Sequence, residues 1–286
     1  MNVHWLIQSN IFDRPGLVNI KDVLKYNNIS FTDYTANLHW YDIADGTELP
    51  KQVDFPIVHY GSIEFVNYLE RKYSHVPGSF TFKEYMNPSH YMSYYPLDWF
   101  FNKDAVFLPV AFLGQYINTN NYENGVFIRP DSGSKIFSGF KSSLKDLPIE
   151  LSTINESIYA KVSSVRERVP RDQMCLLSHN KPIHSEYRYF IIDGKVVTGC
   201  QYHRDNILDI RIDCHINANM LARKVANYKY QIDKAYVVDI FLDTNENAYI
   251  GEFNSFSSSG MYACDIESII VAMNNLAIKE YEEWNL

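Results

Sequence analysis

The chain has 286 residues, 46% of them hydrophobic and 21% charged, which excludes a disordered or low-complexity protein. Lys and Arg total 26 against 34 Asp and Glu, and the net charge of -8 argues against a protein that coats duplex nucleic acid. The four cysteines form no CxxC pair, and the longest apolar run, Ala105 to Gly114, is about half the roughly 20 residues of a membrane span. No secretory signal is evident at the start. We therefore expect a reduced, cytoplasmic protein (in the host cytoplasm if the source is viral) that does not enter membranes.

The first hundred residues alternate between strand and helix patterns. Short apolar runs predict strands, and apolar residues at helical spacing predict helices, the second of which Ser62 is placed to cap. The predicted elements are a strand over 3–8, a helix over 17–26, strands over 29–34 and 56–60, and a helix through residue 71. This alternation is typical of a small α/β layer, which we assign to residues 1–100. The Pro-, Ser- and Tyr-rich segment from Val76 to Asp98 is the expected boundary region.

Strand patterns dominate from about Asp104 onwards. Asp193-Gly194 between two of the runs is a strong hairpin signal. The predicted strands cover 126–129, 158–162, 174–178, 186–192, 195–203, 235–242 and 248–253, and the predicted helices cover 216–228 and 266–281. Antiparallel strands with flanking helices indicate an α+β domain over residues 101–286.

The last predicted hairpin carries three oxygen-bearing side chains. Glu252 and Asn254 are two residues apart in one strand, so both point to the same face. Pairing across the turn brings Asp239 of the partner strand near Glu252. Carboxylate and amide oxygens suit Mg²⁺, which makes the three residues a candidate metal set. The alternative is an ordinary hairpin whose polar face is solvated.

The turn of this hairpin also resembles the opening of an EF-hand loop, with Asp243, Asn245 and Asn247 at alternate positions. The sixth position is Ala248 instead of Gly, and the twelfth is Asn254 instead of Glu. Because the flanks also have strand patterns, we exclude an EF-hand.

A Gly/Ser-rich loop follows the strand that ends at Arg129-Pro130. Gly133, Gly139 and three serines allow backbone N–H groups to approach an anion, and Arg129 and Lys135 supply positive charge. The loop lacks the GxxxxGK[ST] pattern of a Walker A motif. It is a candidate phosphate loop, with an ordinary connecting loop as the alternative.

A third segment combines the short apolar strand Met174 to Ser178 with Glu186 and Arg188 at the start of a later strand. The strand backbone is a candidate to bind an adenine edge, and Glu186 to accept hydrogen bonds from ribose hydroxyls. Arg188, on the same strand face, is within reach of a phosphate or of the carboxylate on a partner strand. The alternative is a structural cross-strand ion pair.

In this order the three segments resemble the ATP-grasp superfamily, over about residues 103–286. The stretch VVDIFLDTNENAYIGEFNSFSSSGMY is similar to the corresponding stretch of D-alanine ligase-type enzymes, and the combination of Arg129 with Lys135 resembles a phage-type subgroup. The resemblance implies an α+β ATP-grasp fold, in which two α+β subdomains clamp ATP, preceded by a small α/β domain.

The resemblance also implies roles for individual residues. The implied ATP-binding residues are Arg129, Lys135, Lys161, Cys175, Leu176, Leu177, Glu186 and Arg188, and the implied metal ligands are Asp239, Glu252 and Asn254. Many relatives carry Arg two residues before the metal-binding Asp, where this chain has Val237. Another base must then offset charge at the reacting phosphate, and the candidate catalytic residues are Arg129, Arg204 and Arg211.

The implied reaction is an ATP- and Mg²⁺-dependent ligation. ATP phosphorylates a carboxylate, and an amine or similar nucleophile then displaces phosphate from the acyl-phosphate. Two alternatives stay open: a nucleotide-binding interaction protein without turnover, and a kinase-like enzyme that phosphorylates a small molecule. We expect a small-molecule or peptide carboxylate and an amine as substrates, with Tyr91 to Phe101 and Ser255 to Gly260 as candidate borders of the acceptor pocket, and leave a homodimer open.

Overall fold

The computed structural model describes residues 1–34, 54–81, 83–134, 136–146 and 169–286. Contacts divide the chain into two compact units, one made of residues 1–81 with 184–286 and the other of residues 82–183. The contacts thus group the start of the chain with its last third, and the predicted domain boundary near residue 100 stays a prediction. The predicted strand over 158–162 lies outside the described residues.

The described helices and strands follow one another in chain order. They are β1 His4–Ile7, α1 Ile20–Tyr26, β2 Ser30–Asp33, β3 Ile57–Tyr60, α2 Ile63–Lys72, β4 Pro77–Gly78, α3 Pro88–Tyr94, β5 Val106–Pro109, α4 Leu113–Thr119, β6 Val126–Pro130, β7 Phe140–Ser142, β8 Met174–His179, β9 Ser185–Ile192, β10 Lys195–Arg204, β11 Ile207–Arg211, α5 Ile216–Ala226, β12 Ala235–Leu242, β13 Ala248–Ser255 and α6 Ile266–Trp284. Short 3₁₀ turns occupy Ser9–Phe12, Glu84–Met86, Leu97–Trp99 and Val110–Phe112. None of the helices within the described ranges combines the length and the apolar character of a membrane span.

The first unit contains two sheets. Strands β2-β1-β3-β4 form a parallel sheet, and β11-β10-β9-β12-β13 form an antiparallel sheet. Alternate residues of β1 face opposite ways: Trp5 and Ile7 enter the large core, while Leu6 packs in a smaller cluster with α2. Ser62 caps α2 as predicted, since its Oγ accepts a hydrogen bond from the Phe65 N–H at 3.2 Å.

One hydrophobic core joins the two sheets of this unit. Trp5 of β1, Phe190 of β9 and Val237 of β12 share it with the buried face of α6, which contributes Met273. Trp5 also donates a hydrogen bond from Nε1 to Asn274 of α6 at 2.9 Å. Helix α6 therefore ties the parallel layer to the antiparallel sheet. Helix α5 packs against strands of the antiparallel sheet as well.

The predicted β9–β10 hairpin is confirmed. Its two turn residues, Asp193 and Gly194, have φ angles of 48° and 70°, as the type I′ turn requires. Ile192 and Lys195 pair directly across the turn. The helix predicted over 17–26 begins later, at Ile20, because the Asn19 side chain caps it by accepting the Lys21 N–H at 2.9 Å.

The second unit is built on an antiparallel sheet of order β5-β8-β6-β7. Its core contains Leu113 and Ile117 of α4 together with Ile128 of β6 and Leu177 of β8, all of them buried. Strand β8 lies inside the sheet, so its backbone is paired with β5 on one side and β6 on the other.

The loop after β13 docks onto the parallel layer through Ser257, which is fully buried. Its Oγ accepts the Phe80 N–H at 2.9 Å, its N–H donates to the Phe80 carbonyl at 3.1 Å, and its carbonyl accepts the Gly61 N–H at 2.9 Å. Nearby, the Tyr60 hydroxyl donates to the Ser259 carbonyl at 2.7 Å. The serine-rich loop therefore has a structural role in the first unit, whatever it borders.

We expect Ser257→Ala to lower the free energy of unfolding by about 1–3 kcal/mol, because it leaves the buried Phe80 N–H without its acceptor. Urea denaturation of the purified protein measures the change. Ser74→Ala is the control, since Ser74 is exposed and its replacement should change stability by less than about 0.5 kcal/mol. Equal stability of the two variants would remove Ser257 from this role.

Candidate functional site

Asp239, Glu252 and Asn254, here called the carboxylate–amide set, lie side by side on two neighbouring strands. In the β12–β13 register Asp239 is directly opposite Glu252, and Val237 is opposite Asn254. Asn254 Nδ2 donates to Asp239 Oδ2 at 3.0 Å and to Glu252 Oε1 at 2.9 Å. The pairing thus brings the three residues together, and their role as metal ligands stays a prediction.

A β-bulge produces this register. The pairing shifts between Asp239 and Ile240, so that Ile250 and Glu252 have partners in β12 and Gly251 has none. A side chain at Gly251 would collide with the Phe241 ring, since its Cβ would lie 2.3 Å from a ring carbon. Without the extra residue Glu252 would point to the opposite face from Asp239. The glycine and its bulge therefore assemble the carboxylate–amide set.

Asp239 is fully buried and forms a two-point ion pair with Arg188 of the adjacent strand β9. Arg188 Nε donates to Oδ1 at 2.9 Å and Nη2 donates to Oδ2 at 2.8 Å. Burial disfavours the charged guanidinium, but the charge and hydrogen bonds of Asp239 outweigh burial and raise the pKa of Arg188 well above its ordinary value. Of the two partners anticipated for Arg188, the carboxylate is the one it contacts in this structure.

Two tyrosine rings and a backbone carbonyl complete the surroundings of Arg188. Its guanidinium carbon lies 5.3 Å from the centre of the Tyr202 ring and 5.1 Å from that of Tyr262, and the rings stack on each other. Arg188 Nη1 also donates to the Gly260 carbonyl at 3.1 Å. Tyr262 has a positive φ of 48°, which is unusual for a bulky residue, and Arg14 lies over its ring at 5.3 Å.

Glu186 lies two residues before Arg188 on the same strand. The Tyr202 hydroxyl donates to its Oε2 at 2.6 Å, and His203 Nδ1 is 3.7 Å from its Oε1. Burial raises the pKa of Glu186 above 4.5, and the negative charges of Asp239 and Glu252 act in the same direction, while Tyr202 and His203 lower it. Tyr202 therefore joins the predicted ribose-binding carboxylate to the guanidinium that holds Asp239.

The chemistry of the carboxylate–amide set fits Mg²⁺. Two carboxylates and an amide supply the hard oxygen donors that this ion prefers. Among the residues that the structure describes, no group of three or more His, Cys, Asp or Glu is arranged to hold a metal, so an amide oxygen must complete this set. The amide nitrogen of Asn254 already touches both carboxylates, which shows that the three side chains converge on one place.

The two other arginines proposed from the sequence lie away from Asp239. Arg204, at the end of β10, is 3.5 Å from His184 through Nη2. Arg211 pairs with Gln201 in the register and bonds Asp209 Oδ1 at 2.9 Å. Since the Gln201 side chain contacts Tyr187, next to Arg188 in the strand, Arg211 is on the face of the sheet opposite to Asp239. Arg188 is the base that the structure brings to this carboxylate.

In the second unit, Arg129 is buried near the end of β6, opposite Leu176 of β8. Gly139 lies close against it, since a Cβ there would be 3.2 Å from the Arg129 Cβ. Two backbone N–H groups of the Gly/Ser loop have protein acceptors: Gly133 donates to Asn87 Oδ1 at 3.1 Å and Ser134 to Ser132 Oγ at 3.2 Å. Lys135 and Lys161 lie outside the described residues, so their predicted phosphate contacts stay predictions.

The loop is further anchored by Asp131, which accepts hydrogen bonds from both the backbone N–H and the hydroxyl of Ser89. In strand β8, Cys175, Leu176 and Leu177 are buried and paired with neighbouring strands on both sides. An adenine edge would therefore meet backbone groups at an end of this strand more readily than in its middle. The predicted adenine contact is not tested by this arrangement.

Residues that sequence analysis did not assign to the site are Tyr202, Tyr262 and the Gly260 carbonyl. Tyr202 lies two residues before Arg204 and Tyr262 shortly after the serine-rich loop, and no local pattern links either residue to Arg188. The only signal was the high tyrosine content, 22 residues, which we interpreted as core and surface packing.

We expect Arg188→Met to lower the free energy of unfolding by about 3–5 kcal/mol, because it leaves the buried Asp239 charge unpaired. The double variant with Asp239→Asn should regain part of this loss, because the unpaired charge is gone. Urea denaturation of the single and double variants measures both. Arg211→Met, which breaks an exposed ion pair, is the control and should cost much less. A cost as small as that of the control would show that the pair does not stabilise the fold.

We expect Tyr202→Phe to raise the pKa of Glu186 further, because it removes a hydrogen bond to the ionised form. The stability that protonated Glu186 contributes is present below pH 4.5 and is lost as pH rises through the higher folded-state pKa. In the variant this loss should extend to higher pH. Urea denaturation between about pH 4 and pH 8 measures it, and Glu186→Gln should lack it. Identical pH profiles for Tyr202→Phe and the parent would contradict the contact.

Comparison with known proteins identifies the family. A family model described as an ATP-grasp domain, the second family of its clade, matches residues 111–272, more than half of the chain. No curated protein matches the sequence.

Several solved structures are similar in fold over almost the whole chain. The D-cycloserine synthetase DcsG has a TM-score of 0.59 and 9% identity, covering 96% of this chain and 100% of that chain. The D-alanine–D-alanine ligase from Bacillus anthracis has a TM-score of 0.55 and 13% identity, covering 99% and 98%. N5-carboxyaminoimidazole synthase from Aspergillus clavatus, in complex with ADP and 5-aminoimidazole ribonucleotide, has a TM-score of 0.56 and 12% identity, covering 96% and 77%. At these identities the structures show the fold alone, and the predicted α+β ATP-grasp fold is confirmed. The chain belongs to the ATP-grasp family.

Proposed function

We propose that the chain is an ATP- and Mg²⁺-dependent ligase that joins a carboxylate to an amine through an acyl-phosphate. The observation that carries the proposal is the carboxylate–amide set, held on adjacent strands by the Asp239–Arg188 pair, in a chain of the ATP-grasp family. Solved structures of similar fold include ligases and synthetases, which supports the same reaction class.

In this reaction the γ-phosphoryl group passes from ATP to an oxygen of the carboxylate substrate, and ADP leaves. The amine then attacks the acyl carbon, a proton is lost from nitrogen, and the bond to phosphate breaks. Such transfers depend on positioning and on neutralising charge, so no covalent protein intermediate is needed. Mg²⁺, when bound, would supply a Lewis acid for the phosphate oxygens.

The residues of the first unit would hold this chemistry in place. Glu252 and Asn254 would coordinate the metal with Asp239, while Arg188 fixes the orientation of Asp239 through two hydrogen bonds. Glu186 would accept a hydrogen bond from a ribose hydroxyl, beside the one it accepts from Tyr202. In the second unit, buried Arg129 would contact phosphate, and Lys135 and Lys161 remain proposed phosphate contacts.

The substrates are proposed only as classes: a small-molecule or peptide carboxylate and an amine. The four cysteines are free thiols, which fits the reducing cytoplasm as the proposed location. A homodimer stays a prediction that analytical ultracentrifugation tests.

Hydroxylamine tests the reaction class, because this small nucleophile intercepts acyl-phosphates. A library of carboxylates with ATP, Mg²⁺ and hydroxylamine should yield a hydroxamate and ADP for the true substrate, even without the natural amine. A stable phosphorylated alcohol with ADP would contradict the ligase and favour a kinase-like enzyme. Absence of ADP with every acceptor would favour a binding protein.

We expect Asn254→Ala to lower hydroxamate formation by more than the roughly 10–100-fold typical of changes around a metal site. The parent should gain about 2.7 kcal/mol of stability from ATP–Mg²⁺ at a hundredfold excess over Kd, and the variant should lose most of this gain. Thermal unfolding measures the second effect without turnover. Asn245→Ala, in the exposed turn of the same hairpin, is the matched control and should behave like the parent. An unchanged Asn254→Ala variant would remove this residue from the metal set.

A further inference from the structure

Two thiols lie in contact beside the strand that carries Arg188. Cys200 of β10 is directly opposite Arg188 in the β9–β10 register, and Cys264 follows the loop that contains Gly260 and Tyr262. The Cys264 S–H donates to Cys200 Sγ at an S–S separation of 3.3 Å. Both side chains are buried in the large core of the first unit.

The contact makes the two sulphur atoms chemically unequal. The hydrogen bond from Cys264 lowers the pKa of Cys200, although burial opposes this. The same hydrogen bond, together with burial, raises the pKa of Cys264 well above its ordinary value. Cys200 is therefore the sulphur that holds negative charge more easily.

Cys264 is also the sulphur that small molecules can approach. It lines an open cavity of about 530 Å³, together with Val18, Asp22, Tyr26, Thr198 and Ile212. Cys200 is completely buried behind it. An oxidant little larger than water can enter this cavity and meet Cys264 first.

We propose that Cys200 and Cys264 form a peroxide-reactive dithiol that closes to a disulfide. The Cys264 sulphur attacks an oxygen of hydrogen peroxide and the O–O bond breaks; the departing hydroxide takes the Cys264 thiol proton and leaves as water, which gives Cys264 sulfenic acid. The Cys200 sulphur then attacks the Cys264 sulphur and displaces hydroxide, which takes the Cys200 thiol proton and leaves as a second water. Two thiols lose two electrons, peroxide gains them, and no other reactant is needed.

Closure has a structural consequence at the candidate site. The sulphur atoms must approach from 3.3 Å to about 2.05 Å, so the segment around Cys264 moves toward β10 or β10 moves toward it. This segment carries the Gly260 carbonyl and the Tyr262 ring, both of which contact Arg188. Resting on the proposed function, oxidation then weakens nucleotide–metal binding by disturbing the residue that holds Asp239.

The test treats the full chain with millimolar hydrogen peroxide, blocks remaining thiols with N-ethylmaleimide, and maps peptides by mass spectrometry. The expected product is a Cys200–Cys264 linked peptide about 2 Da lighter than the two reduced peptides, reversed by dithiothreitol. Cys264→Ser should abolish the linked peptide. Cys214→Ser should keep it, since Cys214 lies near Tyr189 on the opposite face of the sheet. A linkage through Cys214, or sulfonic acid without any linkage, would overturn the dithiol.

The effect on the site is measured separately, by the melting shift that ATP–Mg²⁺ induces in reduced and oxidised protein. We expect the shift to fall at least twofold on oxidation and to return after dithiothreitol, with no such fall in Cys264→Ser. An unchanged shift in a protein with the mapped disulfide would overturn the coupling to the site. Because peptide mapping uses no nucleotide, it stands even if the reduced protein shows no ATP-induced shift.

Discussion

The candidate site depends on a buried ion pair between two adjacent strands. Asp239 has no exposed surface, and its charge is matched by the guanidinium of Arg188 through two hydrogen bonds. A buried pair of this kind need not stabilise a fold more than apolar residues would, because both charges must leave water. Its value here is geometric: the two-point contact fixes the carboxylate next to Glu252 and Asn254.

The layers around this pair are arranged to keep it in place. Tyr202 and Tyr262 cover the guanidinium, and the Gly260 carbonyl accepts a further hydrogen bond from it. The loop that carries Gly260 is in turn held by Ser257, whose backbone and side chain bond the parallel layer. The N-terminal layer therefore does more than precede the antiparallel sheet, since it supports the loop that surrounds Arg188.

Local sequence patterns predicted much of this structure. The Asp193-Gly194 turn, the Ser62 cap and the last helix were visible because each depends on residues close together in the chain. Strand β11 was not predicted, because the turn before it uses Asp205 and Asn206 at positive φ without a glycine.

The site was harder to predict than the fold for a physical reason. The spacing of Glu252 and Asn254 showed that they share a face, but the bulge at Gly251 decides that this is also the face of Asp239. The partner of Arg188 depends on the pairing of β9 with β12, which are about fifty residues apart in the chain, and sequence alone left a phosphate and a carboxylate as alternatives. Tyr202 and Tyr262 come together only through tertiary packing, which no local period records.

A crystal structure with ADP and Mn²⁺ tests most directly whether Asp239, Glu252 and Asn254 hold the metal that accompanies ATP. The anomalous scattering of Mn²⁺ locates the ion independently of the protein density. We predict one or more Mn²⁺ ions bonded to oxygen atoms of Glu252 and Asn254, with Arg188 still paired to Asp239. Bound ADP with Mn²⁺ that contacts none of the three residues would contradict the claim.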